Sequence, residues 1–275
     1  MIIKKMRIIT LLFIIICLVS QLLFLSEIVF SFDNQSIIKH IKKYHLNNII
    51  STYTTYFNLS QSKRVCNIKL AIEEINGKVI MPQEVFSFNE TVGARLKERG
   101  YQKATEIING ELVEGIGGGI CQVSSTLYNT VLLADLKVTE RRHHSQPVNY
   151  VPLGRGATVY YNQIDFKFKN NTGYPVMILA KVVNNQLTIS LLGESKEEQI
   201  KIVTSKPEII SKEVIVKLDS SLPLGVKKVI QKGRDGIKIK VKKIISRGGR
   251  IIKTEDVSYD IYLPRRTIIK ANLVK

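Results

Sequence analysis

Tryptophan is absent from the 275 residues, and cysteine and histidine are scarce: Cys17, Cys66 and Cys121, then His40, His45, His143 and His144. Three thiols exclude a disulfide-dense scaffold and a four-thiolate zinc site, and so few imidazoles argue against a histidine-rich metal centre. No metal or cofactor is expected. Acidic residues are also short, 23 Asp+Glu against 41 Lys+Arg, leaving a formal net charge of +18. Hydrophobic side chains are not lacking; at 44%, with 23% charged, they exclude a wholly disordered chain. The length allows one large domain or two modest ones.

Lys4, Lys5 and Arg7 precede Ile8–Leu25, which is apolar except for Thr10, Ser20 and Gln21. Eighteen residues at helical rise reach about 27 Å, near the hydrocarbon thickness of a bilayer. A basic flank on the N-terminal side stays cytoplasmic, so the expectation is a signal anchor or signal peptide over 1–32 with the bulk outside the cytoplasmic membrane. Residues 8–25 would lie in that membrane, with Cys17 facing lipid. Val29-Phe30-Ser31 is a passable cleavage site, which would make the chain secreted instead. A buried core helix is the plainer alternative for this stretch. Outside the cell nucleic acid is excluded as a partner, and Cys66 and Cys121 could oxidise to one disulfide.

Residues 33–48 are polar and basic and read as a spacer. Ile49–Phe57 is rich in β-branched and aromatic residues and predicts a strand. Val65–Ile75 has a helical period stopped by Asn76-Gly77, and Val85–Phe88 reads as a short strand. After Cys121, the spacing of Val123, Leu127, Val131 and Ala134 predicts a helix of three to four turns packed on one face. Short strands follow at Ala157–Tyr161, Asp165–Lys169, Val176–Val183 and Gln186–Leu192, separated by Asn- or Gly-bearing turns. This order indicates an α+β domain over 49–195. A boundary near 193–206 then opens a small all-β segment, 201–275, with strands at Gly236–Ile245 and Arg250–Tyr262 around Gly248-Gly249. It holds 19 Lys+Arg and 7 Asp+Glu, a net of +12. Lys238, Lys240 and Lys242 alternate with apolar residues and so share one strand face. That face is either a solvated edge guard or a binding surface for an anionic polymer.

Four stretches carry a resemblance: Phe86–Gly93, Gly117–Tyr128, His144–Gly154 and Asp165–Thr172. Taken in order they resemble the VanW family, whose founding member was found among vancomycin-resistance genes of Gram-positive bacteria. That family pattern commonly has an aspartate before the Ala-Thr-Val run, where this chain has Gly156. The C-terminal segment is similar to a G5 domain, a cell-surface module, through Leu222-Pro223-Leu224-Gly225, Gly233, Gly236 and Gly248-Gly249. The usual terminal glycine is missing; Ala271-Asn272 stands there. The resemblance implies an extracellular cell-wall role, with peptidoglycan or anionic wall polymer as partner. Sequence leaves the oligomeric state open.

Gly118 and Gly119 lead into the helix that begins near Cys121, where helix N–H groups favour a thiolate and Gln122 follows as a polar loop neighbour. The glycines fit either a tight loop or an oxyanion hole. A helix-borne Cys121, then His144, then Asp165 on a strand resembles the order in transglutaminase-like and papain-like cysteine enzymes. Cys121 would then be nucleophile, His144 base and Asp165 orienting carboxylate, in acyl or amide transfer on peptidoglycan peptides. His144 is preferred over His143 because it matches the VanW pattern. The competing reading is a non-catalytic protein that binds the wall.

Overall fold

A computed structural model of the chain describes residues 35–108 and 110–272, so the apolar segment at 8–25 lies outside the described residues. Among the described residues no helix is long and apolar enough to cross a membrane. Two compact units divide at Asn47/Asn48. In the first, residues 35–44 form a helix, α1, rather than a plain spacer. Ile37, Ile41 and Tyr44 recur at helical spacing, and no Gly or Pro interrupts them.

The second unit opens with β1 (Asn48–Tyr56) and α2 (Ser62–Ile75), followed by β2 (Val79–Ile80) and β3 (Val85–Ser87). Ser87 then caps a short helix, α3 (Phe88–Val92), its hydroxyl accepting from the Glu90 N–H at 3.0 Å. Phe88 is therefore helical, not the end of a strand. A hairpin that the sequence reading missed, β4 (Lys103–Ile108) with β5 (Glu111–Ile116), leads into α4 (Ile120–Leu133). After it come β6 (Lys137–Glu140), β7 (Lys167–Lys169), β8 (Val176–Val183) and β9 (Gln186–Gly193). One antiparallel sheet runs β1-β9-β8-β2, and a smaller one runs β3-β7-β6. The α+β character holds.

Helix α4 packs on β1, β9 and α2 at the centre of this layer. Its apolar stripe is buried as expected, but its polar stripe is buried too. Thr126 shares a 2.8 Å hydrogen bond with Thr55, Thr130 donates to the Ile189 carbonyl at 3.2 Å, and Asn129 donates to the Arg155 carbonyl at 2.9 Å. Ser124 donates to the Ala157 carbonyl at 2.7 Å, and Ser125 Oγ accepts the Ala157 N–H at 3.0 Å. These bonds satisfy a length of backbone laid along the helix, which explains why 157–161 forms only isolated bridges instead of a strand.

The all-β segment begins with β10 (Gln199–Thr204) and β11 (Glu208–Ile210). Both pair with β14 (Gly236–Arg247), whose other side takes β15 (Arg250–Tyr262) across the Gly248-Gly249 turn. A separate three-stranded sheet joins β12 (Val214–Leu218), β16 (Thr267–Ala271) and β13 (Lys227–Gln231). Its β12–β16 pair is parallel.

Among the described residues three ion pairs tie the all-β segment to the α+β layer, Lys243–Asp135, Arg265–Glu111 and Arg141–Asp260, and the last is the most buried. Arg141, just past β6, meets Asp260 of β15 through two hydrogen bonds of 2.6 and 2.7 Å, with the two side chains only 8% and 3% exposed. Burial lowers the guanidinium pKa, but the bond to Asp260 more than offsets this and the net shift is upward. The Tyr262 hydroxyl accepts the Gly154 N–H at 3.1 Å beside the pair. Removing one member of a buried pair strands the other charge, at about 3–5 kcal/mol. Asp260→Ala should therefore lower stability by about that amount in urea unfolding, whereas adding Arg141→Met should recover only part of it, because the Gly154 and Gly156 carbonyls that Arg141 serves then lose their donor.

Candidate functional site around Cys121

Gly119 starts α4 at φ 111°, a backbone conformation reserved for glycine. Gly118 approaches β4 so closely that a Cβ there would lie 2.5 Å from the Ala104 carbonyl oxygen. Asn67, fully buried on α2, fastens the loop. Its Nδ2 donates to the carbonyls of Gly118 and Gln102, each at 2.9 Å, and its Oδ1 accepts the Gln102 N–H at 2.8 Å. The loop is a tight turn held from three sides. The Gly118 and Gly119 N–H groups take no partner among the described residues.

Cys121 is half-buried and free, as is Cys66, so no disulfide joins them. Its thiol donates to the Val159 carbonyl at 3.4 Å. Burial pushes the thiol pKa up, and the nearby Arg95 and Arg64 only partly counter that. The helix N-terminus therefore does not deliver the lowered thiol that its sequence position leads one to expect.

Two arginines stand beside this thiol, and neither was legible as a site residue. Arg64 Nη2 donates to Gln122 Oε1 at 2.9 Å, and Gln122 Nε2 in turn donates to the Tyr56 carbonyl at 2.9 Å. The Arg95 guanidinium lies 5.7 Å from both the Phe88 and Tyr161 rings, and its two terminal nitrogens are buried without partners. Burial lowers both arginine pKa values. No spacing rule brings positions 64 and 95 to Cys121; packing of α2 and the α3 loop does so.

His144 is 4% exposed. Its Nε2 shares a 3.2 Å hydrogen bond with the Tyr150 hydroxyl, and its Nδ1 has no partner. Position 156 faces this ring: a Cβ on Gly156 would sit 2.5 Å from Nδ1. Burial first, then the charges of Arg141 and His143, depress the imidazole pKa to about 4, so the ring is neutral at pH 7. His143 turns away, bonding the His144 carbonyl at 2.7 Å through Nδ1 and stacking edge-on against Tyr262. Neither histidine hydrogen-bonds the thiol.

Asp165 serves another structure. Its carboxylate accepts from the Ser87 hydroxyl at 2.6 Å, the Asn89 N–H at 2.9 Å and the Phe166 N–H at 2.8 Å, which anchors the start of α3. It makes no bond to His144. The fold thus gathers Gly118, Gly119, Cys121 and Gln122 into one loop, leaves His144 linked to Tyr150, and gives Asp165 to the β3–α3 junction. Among the strand lysines, Lys240 and Lys242 are exposed while Lys238 is half-buried opposite Glu208. Lys240 lies over the Tyr259 ring at 5.6 Å, and Lys242 approaches Asp256 at 3.7 Å.

Two outcomes follow. Above about pH 6.5 both folded and unfolded His144 are neutral and add no pH dependence. As pH falls from there to about 4, the unfolded chain binds a proton that the folded chain refuses, so stability is lost across this window. The shift corresponds to about 3 kcal/mol, and urea titrations at pH 7 and pH 4 should show the parent chain losing about that much more than His144→Gln. For Cys121, alkylation of the folded chain should be slower than that of a denatured control, and its rate should keep rising beyond the ordinary thiol pKa of about 8.5. A rate plateau near neutral pH would contradict the burial argument.

Residues 63–192 match the family model described as VanW like protein, and residues 201–271 match the one described as G5 domain. The chain is 42% identical over 166 residues to "Uncharacterized protein YoaR" of Bacillus subtilis (strain 168), covering 60% of this chain and 55% of that protein. It is 33% identical over 124 residues to "Vancomycin B-type resistance protein VanW" of Enterococcus faecalis (strain ATCC 700802 / V583), covering 43% and 45% respectively. The chain therefore spans about half the length of these curated relatives. Among solved structures, that of HP0197-G5 is similar at 24% identity and a TM-score of 0.19, over 28% of this chain and 99% of that one. An IgA1 protease G5 domain is similar at 20% identity and a TM-score of 0.24, over 29% and 96%. Residues 63–192 are thus a VanW-like domain and residues 201–271 a G5 domain, and over the aligned part the chain is similar to YoaR and VanW.

Proposed function

We propose that this chain is an exported cell-envelope protein, tethered to the cytoplasmic membrane through residues 8–25, that binds cell-wall material, peptidoglycan or an anionic wall polymer. The observation that carries the reading is the G5 domain itself: a basic module, net +12 over 201–275, with Lys240 and Lys242 exposed on β14 and locked to the VanW-like domain through Asp260. A fixed basic face on a wall-associated module suits an anionic polymer held by charge. The membrane tether rests on the apolar run and its basic flank alone.

Thiol chemistry at Cys121 is the second reading, favoured by the unpartnered loop N–H groups and the two guanidiniums beside it. The raised thiol, the neutral His144 turned to Tyr150, and an Asp165 committed elsewhere all weigh against it. Wall binding needs none of these groups to ionise.

Exposed charges are screened beyond about 8 Å at physiological ionic strength, so binding should fall with salt. The 275-residue chain should be retained on walls that carry anionic polymer, and lose retention as salt rises. Lys240→Ser with Lys242→Ser should weaken retention more than Lys238→Ser, whose lysine is half-buried while the other two are exposed. Equal retention on walls stripped of anionic polymer, or retention indifferent to salt, contradicts the charge-based reading.

A further inference from the structure

Two arginines grip the Gly117–Gly119 loop from opposite ends. Arg95 packs on its first residue: a Cβ on Gly117 would lie 3.2 Å from Arg95 Cβ and Cγ. Arg64 packs on its last, where a Cβ on Gly119 would lie 3.0 Å from Arg64 Cγ. Both charges are felt at the Cys121 thiol, each drawing its pKa down against the larger effect of burial. Two like charges therefore converge on one half-buried spot. Among the described residues neither forms an ion pair with a carboxylate.

What surrounds these guanidiniums leaves them short of acceptors. Arg64 gives one nitrogen to Gln122 Oε1, which is neutral and cancels no charge. The terminal nitrogens of Arg95 are buried with no acceptor at all. The Phe88 and Tyr161 rings, each 5.7 Å away, offset part of its charge but offer no oxygen. Asp165 is near enough to act on Arg95, yet its oxygens are taken by Ser87, Asn89 and Phe166. Glu106 acts on the thiol, but it is folded over Gly115 and burial pushes its pKa up. The N–H groups of Gly118 and Gly119, both buried residues, add two more unpaired donors.

Buried donors without acceptors are rare in native structures, and a bound ion is one of the usual reasons for them. The missing partner here is negative and carries oxygen. Carboxylate and phosphate both match the fork of a guanidinium. They differ in cost: desolvation rises with the square of the charge, and burial at this spot already works against every ionised group. A single negative charge is therefore the better occupant. Arg64, Arg95 and Cys121 are each only partly buried, so the spot is reached from solvent.

We propose that Arg64 and Arg95, with the glycine loop between them, bind the carboxylate of a small ligand beside Cys121. This site is separate from the lysine face of the G5 domain, and it rests neither on wall association nor on a nucleophilic Cys121. Cys121 serves as reporter, with Cys66, also free, as control in the 275-residue chain. Iodoacetate and iodoacetamide alkylate thiols alike: the thiolate sulfur bonds to carbon, iodide leaves, and the thiol proton goes to buffer. Only iodoacetate carries a carboxylate. At fixed pH and ionic strength, the ratio of iodoacetate to iodoacetamide rates should be about tenfold higher at Cys121 than at Cys66 or in the urea-unfolded chain. Acetate should slow the iodoacetate reaction at Cys121, acetamide should not, and inorganic phosphate should do so less than acetate. Arg95→Gln and, separately, Arg64→Gln should bring the ratio down to the Cys66 value, with circular dichroism showing which variant is folded. Acetate in place of chloride should also raise the thermal midpoint of the parent chain but not of a folded variant. That reading holds even where Cys121 reacts too slowly to time. Equal ratios at the two cysteines, no competition and no midpoint rise with acetate, stronger protection by phosphate, or a raised ratio that survives in a folded variant would each overturn the proposal.

Discussion

Arg141 and Asp260 meet out of water, one at the end of β6 and the other near the end of β15, and much of this molecule's arrangement follows from their pairing. A buried pair of opposite charges gains little over an apolar contact of the same volume, but it tolerates no other partner. Its contribution is register. With Asp260 held, Tyr262 reaches the Gly154 N–H and stacks with His143, and Val257 enters the neighbouring core. With the Lys243–Asp135 and Arg265–Glu111 pairs, the Arg141–Asp260 pair holds the G5 domain against the VanW-like domain. Arg141 also donates to the Gly154 and Gly156 carbonyls at 3.0 and 2.7 Å, so the same guanidinium shapes the loop facing His144.

The second organising feature is a helix without a wet side. Helix α4 carries Ser124, Ser125, Thr126, Asn129 and Thr130 into the interior, and several of them bond backbone groups outside the helix. The arrangement trades hydrophobic transfer for hydrogen bonds that would be expensive to leave unmade. It lets the irregular stretch 155–159 run through the protein with only the isolated Arg142–Thr158 bridge in place of a strand ladder. This same stretch delivers Val159 to Cys121 and Gly156 to His144.

Electrostatics at the Cys121 loop are set by exclusion of water more than by proximity of charge. Burial raises the thiol, lowers the imidazole, and lowers both neighbouring arginines, so each ionisable group is pushed toward its neutral form. Such surroundings suit recognition by hydrogen bonding and shape. A nucleophile paired with a base would require the opposite bias on at least one of them.

Local pattern alone determined a good part of this protein. The Val176–Val183 and Gln186–Gly193 strands, the Asn184-Asn185 turn between them and the long β14–β15 hairpin were legible, because period-two alternation and turn residues act over a few neighbours. Helix α4 was legible from its four-residue spacing, and the Ser87-Phe88-Asn89-Glu90 cap of α3 was present in the sequence though read as strand. The β4–β5 hairpin was missed because Ile107 and Ile108 give way to charged and exposed positions with little alternation. What tertiary structure decided is which residues share a site. Asp165 was near enough in sequence to serve His144, yet the backbone N–H groups at Asn89 and Phe166 and the Ser87 hydroxyl claimed its oxygens. Arg64 and Arg95 carried no signal, since nothing local distinguishes a surface arginine from one that packing folds against a thiol. Spacing reports on helix and strand faces; the desolvation and competing hydrogen bonds that set a side chain's chemistry exist only once distant segments have closed over it.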